Sequence, residues 1–241
     1  MHSTFMGIEI GKRSLMAHTQ GLATIGHNLS NASTEGYSRQ RVQLKPMDPL
    51  YAPQLNRAET PGQIGQGVVV ERIERIRDQL LEGRIVAQSN GEGYWEARDK
   101  YIMMLEEVYN EPTEVSVRSL LDKFWQGWQE LSLNPQESAA RKAVIQRGEM
   151  LLDGIKQRYK SLSEIREMAE LDVQATVGTI NTLTSDIADL NERIVKVKAM
   201  GDNPNDLLDQ RDLLVEKLSS LIDITVDNRD PDEFVVHSGG I

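Results

Sequence analysis

The sequence has no cysteine among its 241 residues. That excludes disulfides, thiolate metal sites and cysteine nucleophiles together, while leaving either side of a membrane open as a compartment. Aromatic residues are scarce at 5%, so a core has to be built mainly from Leu, Ile, Val and Ala. Such a core suits helix-on-helix packing better than a β-sandwich. No run of 18 apolar residues occurs, so no transmembrane helix and no membrane insertion are expected. The first twenty residues lack the continuous apolar stretch of a secretory signal, so an exported chain would need another route. An excess of basic charge is also lacking: 27 Lys and Arg stand against 37 Asp and Glu, a net charge of −10. Nucleic-acid binding draws its affinity from neutralising phosphates, so no nucleic-acid partner is expected.

Catalytic patterns are missing as well. No Gly-x-Ser-x-Gly and no Gly-x-x-x-x-Gly-Lys occurs. The glycines at 62, 65 and 67 lack the lysine of a phosphate loop. The four histidines, His2, His18, His27 and His237, include no pair four apart. Asp202, Asp206, Asp209 and Asp212 crowd one turn, but a calcium loop read from Asp202 puts Pro204 third and Leu207 sixth, where glycine is needed. Acidic side chains at a helix N-terminus are stabilised by its dipole, and Asn205 or Asp206 can cap it. No enzyme, metal site or cofactor is expected.

The residues present are patterned for long helices. Ile8, Leu15, Leu22 and Leu29 recur every seven positions, alternating with Gly11, His18, Ile25 and Ala32. This opening segment reads as an amphipathic helix ending near Glu35-Gly36. Fixing its backbone costs more than burying one such stripe returns, so it needs a partner. Residues 36–70 hold Pro46, Pro49, Pro53 and Pro61 and read as an extended arm with a possible hairpin, Val68 to Val70 forming a short strand.

Helical patterning resumes at about Glu71 with Ile73, Ile76 and Leu80 and runs to Asn110-Glu111-Pro112, weakest at Ser89 to Gly93. A shorter helix carries Val117, Leu120, Leu121, Phe124, Trp128 and Leu131, its aromatics, with Trp125, read as helix packing. At Asn134-Pro135-Gln136-Glu137, Asn is placed as an N-cap, Pro at the first turn and Glu as a capping box. A helix from Pro135 to Ala199 would span roughly 100 Å. Ala169, Val173, Thr176, Ile180, Leu183, Ile187, Leu190, Ile194 and Val197 form its seam. Gly201 to Asn205 reverses the chain, and a helix to about Ile222 folds back antiparallel.

The expected fold is thus mainly α: an N-terminal amphipathic helix at 1–35, an arm at 36–70, an elongated long-helix bundle at 71–222, and the beginning of a β-rich domain at 223–241. Two strands around Ile224 and Phe234 leave little to cover them, so the chain reads as part of something longer.

HNLSNASTEGYSRQRV at 27–42, after an amphipathic opening helix, resembles the signature of bacterial flagellar rod, hook and hook-associated axial proteins. NPNDLLDQRDLLVEKLS at 203–219, after INTLTSDIADLNERI, and NPQESAARKAVI at 134–145 narrow the likeness to the hook-associated proteins of the hook–filament junction. The resemblance implies a structural role, export through the flagellar type III channel, and assembly into a ring. It implies the hook protein, a second junction protein and an export chaperone as partners. It also implies that the opening helix lines an axial tube, pairs there with a helix from the protein's own C-terminal portion, and turns Ile8, Leu15, Leu22, Ile25 and Leu29 toward sister subunits. Asn28, Asn31, Ser33 and Thr34 would cap the helix and bond neighbours. Gly36 would supply a turn, Tyr37 an anchor, and Arg39 and Arg41 charge pairing. Asn203, Pro204, Asn205, Asp206, Leu207, Asp209, Arg211 and Asp212 would form the helix-hairpin motif. Alternatively, the 28–40 residues merely end a helix. A secreted coiled-coil effector or adaptor is the other class compatible with the heptads.

Overall fold

The structure is a computed structural model describing residues 5–49, 65–109, 116–230 and 233–239. The described chain is mainly helical: α1 (Met6–Ser30), β1 (Gln40–Pro46), β2 (Val68–Arg75), α2 (Gln79–Tyr109), α3 (Val117–Leu133), α4 (Ser138–Ala199), α5 (Asn205–Ser219), β3 (Ile224–Asp230) and β4 (Glu233–Ser238). Pro53, Pro61, Gly62, His2 and the Asn110-Glu111-Pro112 break lie outside the described residues. The chain divides into two compact units, 1–90 with 182–241, and 91–181. The boundary falls within Ser89–Gly93 of α2, which is continuous helix there.

In the first unit, β1 and β2 pair antiparallel with a register shift at Gln43/Leu44, and β3 pairs with β4. The pairing corrects the expected helix onset at Glu71. Ile73 and its neighbours belong to β2, where β-branched residues suit a pleated surface. The helix begins only after Asp78, whose carboxylate accepts the Leu80 and Leu81 amides as an N-cap.

The reversal between α4 and α5 forms as expected. Gly201 has φ +87, its amide bonds the Lys198 carbonyl, and the Asp202 amide reaches back to Val197. The chain then returns antiparallel, so that Arg211 donates to Asn191 Oδ1 at 3.3 Å. Ile187, Leu190, Ile194, Val215, Leu218 and Ile224 are buried in this unit. Helix α5 ends at Ser219, earlier than expected, after which the Leu221 and Ile222 amides close on Leu218.

In the second unit α3 and α4 run antiparallel at close range, and glycines make the approach possible. A Cβ at Gly148 would meet the Phe124 ring at 3.3 Å, and one at Gly154 would meet Leu120. Leu120 and Val144 are buried there, and Phe124 meets Trp128 edge-on at 6.1 Å. Trp125, expected in the packing, instead points outward at 66% exposure.

The capping box at 134–137 is corrected too. Asn134 closes α3, its amide on the Glu130 carbonyl, and it accepts the Glu137 amide in a tight turn. The Arg141 guanidinium covers the Pro135 carbonyl, and α4 begins at Ser138. The seam of α4 shifts by one residue at its middle. Val173 is exposed, and Asp172 faces α2, accepting from Lys100 and from the Tyr101 hydroxyl at 2.7 Å.

Candidate subunit-contact helix and its joint

Helix α1 has two unlike faces. One packs on the β1–β2 hairpin through Ile10, Ala17 and Thr24, which also recur every seven positions. Ile10 lies against Gly67, where a Cβ would come within 3.3 Å of it. Arg13 Nη1 donates to the Gln66 carbonyl and contacts Met47 Sδ, each at 3.2 Å. The partner that this segment needs is thus supplied in part by the hairpin of its own chain: one face is docked. The other face carries Ile8, Leu15, Leu22, Ile25 and Leu29, all 62–77% exposed. Leaving five such side chains in one stripe is a large apolar exposure for a single helix.

Where α1 ends, Asn31 is the cap residue, and Asn28, expected to cap, instead ties the helix to β1. Its Oδ1 accepts the Gln40 amide and the Tyr37 hydroxyl, both at 2.8 Å, and its Nδ2 donates to the Gln40 carbonyl at 2.9 Å. One side-chain amide thus satisfies both main-chain groups of the first β1 residue. Asn31 donates to the His27 carbonyl and accepts from Thr34 Oγ1, closing the last turn on itself. Gly36 then takes φ +77, which a side-chain-bearing residue adopts only at a cost. Tyr37 meets His27 edge-on, with centroids 5.5 Å apart. Its phenol is pushed up by burial, and further by Asp206 and Asp209. Arg39 contributes its carbonyl to the Ile76 amide, while Arg41 pairs with Glu74 within the hairpin. These contacts are intramolecular.

The hairpin motif meets this same place. Asn205 and Asp206 do not cap α5 by side chain: Pro204 occupies the cap position, and no side-chain cap bond forms. Asn205 Nδ2 donates instead to the Ile73 carbonyl at 3.0 Å and to Gln40 Oε1 at 3.3 Å, and Asn203 also reaches Ile73. Asp206 Oδ1 accepts from Gln40 Nε2 at 2.9 Å and lies 3.6 Å from His27 Nε2. Asp209 accepts the Ser38 amide, from 171 positions earlier, and pairs with Arg75 at 2.7 Å. Asp212 accepts from Arg75 and Arg77. Leu213 packs where a Gly36 side chain would be, and Leu207 is half-buried on the same helix.

Arg211 is buried and stacks 3.5 Å from the Phe234 ring centroid. Its Nε lacks an acceptor, and desolvation pulls its pKa down. Asp209 and Asp212 are thus held by arginines, and among the described residues no three His, Asp or Glu side chains converge as a metal site. Gln40, Ser38, Arg75 and Arg77 were not singled out from the sequence. Gln40 lies inside the polar stretch, but its role depends on residues 205 and 206 folding back to it.

The flagellar hook-associated protein FlgK helical domain matches residues 102–241. This chain belongs to the FlgK family of flagellar hook-associated proteins. It is 39% identical to flagellar hook-associated protein 1 of Bacillus subtilis, over 94% of this chain and 45% of that protein. It is 28% identical to the same protein of Salmonella typhimurium, over 90% of this chain and 38% of that one. The flagellar hook junction protein FlgK from Burkholderia pseudomallei superposes with a TM-score of 0.55 at 24% identity, over 67% of this chain and 27% of that one. The chain spans less than half the length of the curated relatives it matches. Within this FlgK-family chain, the HNLSNASTEGYSRQ and NPNDLLDQRD stretches are two sides of one polar joint beneath α1. No described helix is long and apolar enough to cross a membrane.

Proposed function

We propose that this chain is a non-catalytic structural part of the bacterial flagellum, at the junction between hook and filament. It associates with sister molecules in a ring through the uncovered stripe of α1, between the hook protein on one side and a second junction protein on the other. It reaches that place through the flagellar type III channel, attended by an export chaperone. Its relatives carry the name of hook-associated protein, and the matched solved structure that of a hook junction protein. The observation that carries the assembly mode is the stripe itself: Ile8, Leu15, Leu22, Ile25 and Leu29 stand exposed on a helix whose opposite face is docked. Apolar surface left in water gains free energy when a neighbour covers it.

The test replaces Leu15 and Leu22 together by Ser in a motile strain. Both side chains are about 70% exposed, so isolated chains should keep their helical circular dichroism. Junctions should then lack the variant, and filaments should fail to attach. Normal incorporation and motility would refute the assignment of the stripe to subunit contact.

A further inference from the structure

All the polar groups of Gln40 are engaged, and they tie its own strand to two further elements. Its backbone amide and carbonyl are both taken by the Asn28 side chain at the end of α1. Its side-chain Nε2 donates to Asp206, and its Oε1 accepts from Asn205, both at the start of α5. Its own strand is β1, where Gln40 pairs with Arg75. Arg75 in turn reaches Asp209 and Asp212 on α5. The seam between the α1–hairpin body and α5 is therefore mostly polar, with Leu213 against Gly36 an apolar contribution.

Apolar packing is non-directional. An amide hydrogen bond fixes both a distance and an angle. Orientation across a polar seam is consequently set by its hydrogen bonds, and Gln40 is the residue common to α1, β1 and α5. We propose that Gln40 is a positioning residue that sets the direction of α1 relative to α5, acting through the donor–acceptor match between its amide and Asp206. The consequence for assembly rests on the proposed function: the direction decides where the stripe is presented. The direction itself is a property of the free chain.

Because the sequence has no cysteine, two introduced cysteines are its sole thiols. Spin labels at Lys12→Cys on α1 and Glu216→Cys on α5, both exposed positions in one unit, report the direction as a distance distribution. The parent pair should give one narrow maximum. Gln40→Glu sets a carboxylate against the Asp206 carboxylate and removes the donor, so the maximum should shift and broaden. Adding Asp206→Asn supplies a donor from the other side, so the narrow maximum should return. Asp206→Asn alone, where two amides face each other, should stay narrow.

A Gln40→Glu distribution as narrow and as placed as the parent's would overturn the proposal. So would a double variant that stays broad or unfolded, because a general loss of structure is not repaired by exchanging donor for acceptor. If the distances behave as expected while stripe variants still assemble, the proposed function fails and the positioning role stands. If stripe variants fail to assemble but the distances do not move, the reverse holds.

Discussion

Gly36 and Gly201 both hold positive φ, +77 and +87, but their surroundings differ. A Cβ at Gly201 would have nothing within 4 Å, whereas one at Gly36 would meet Leu213 Cβ at 3.0 Å and its two methyls at 3.1 and 3.3 Å. Placing alanine in the left-handed region costs about 1–2 kcal/mol. Forcing a methyl into an occupied space costs about 1–3 kcal/mol more. Gly201→Ala should therefore cost about 1–2 kcal/mol and Gly36→Ala about 2–5 kcal/mol.

The three tryptophans all lie in the second unit, so tryptophan fluorescence has no reporter at this joint. Amide exchange of α5 peptides reads it directly: each 1.4 kcal/mol is about tenfold in local opening. Gly36→Ala should speed exchange of the 205–219 segment by roughly 30- to several-thousand-fold and Gly201→Ala by roughly 5- to 30-fold. Trimming the two methyls with Leu213→Ala leaves only its Cβ, at 3.0 Å, near the added methyl, so the added cost of Gly36→Ala should fall part of the way toward that of Gly201→Ala, the Leu213 truncation serving as its own baseline. Equal effects at the two glycines in the parent background would refute the crowding argument, and with it the seating of α5 against the end of the axial motif.

Asn28→Ala removes three hydrogen bonds and leaves the Gln40 main-chain groups to water. It should cost about 1–3 kcal/mol locally, read as faster exchange across 28–40. Asn28→Asp keeps the two acceptor roles of Oδ1 and should cost less; equal losses would contradict the bidentate geometry. In the second unit, hydrogen bonds from Lys100 and then Tyr101 hold the Asp172 carboxyl below its usual value. A carboxyl depressed in the folded state contributes stability above its unfolded pKa, near about 4, and loses it as pH falls through the folded value. The gap in urea midpoint between the parent and Asp172→Asn, followed by tryptophan fluorescence, should be open at neutral pH and close at acid pH. A gap independent of pH would rule out the ionic lock.

The helices were legible because their signals are local and repeated. Ile8, Leu15, Leu22 and Leu29 announce one face of α1 by large side chains at one spacing. The docked face has the same spacing, Ile10, Ala17 and Thr24, but small and polar side chains hide it from any hydrophobic pattern. The hairpin turn was readable from Gly201 and Pro204, since positive φ and a missing amide act on their own residues. The strand β2 was not readable beyond Val70, because apolar residues three apart fit a helix until a pairing partner at Gln40–Pro46 is known. Asp209 and Asp212 looked like helix-dipole residues or a weak metal cluster. Nothing local says that Arg75 and Arg77 arrive to neutralise them. Side-chain bonds between positions 171 apart follow from the fold, not from periodicity.

The two faces of α1 divide the work unequally on the proposed reading. Full burial of one large apolar side chain gains about 1.5–3 kcal/mol, and the stripe has five of them mostly in water. The docked face half-buries one large side chain, Ile10, and buries an alanine and a threonine, whose summed apolar yield is smaller, and is otherwise held by directional bonds at Arg13 and Asn28. A neighbour covering the stripe therefore contributes more free energy than the chain's own hold on α1. If the joint were loose, that neighbour would turn the helix to suit itself. The buried pairing of Asp209 with Arg75, each side chain 15% exposed or less, resists this, because pulling one charge away strands the other in a poorly solvated place. Removing Arg75 should thus disturb the direction of α1 more than removing the half-exposed Arg13, which anchors the same body at its far end.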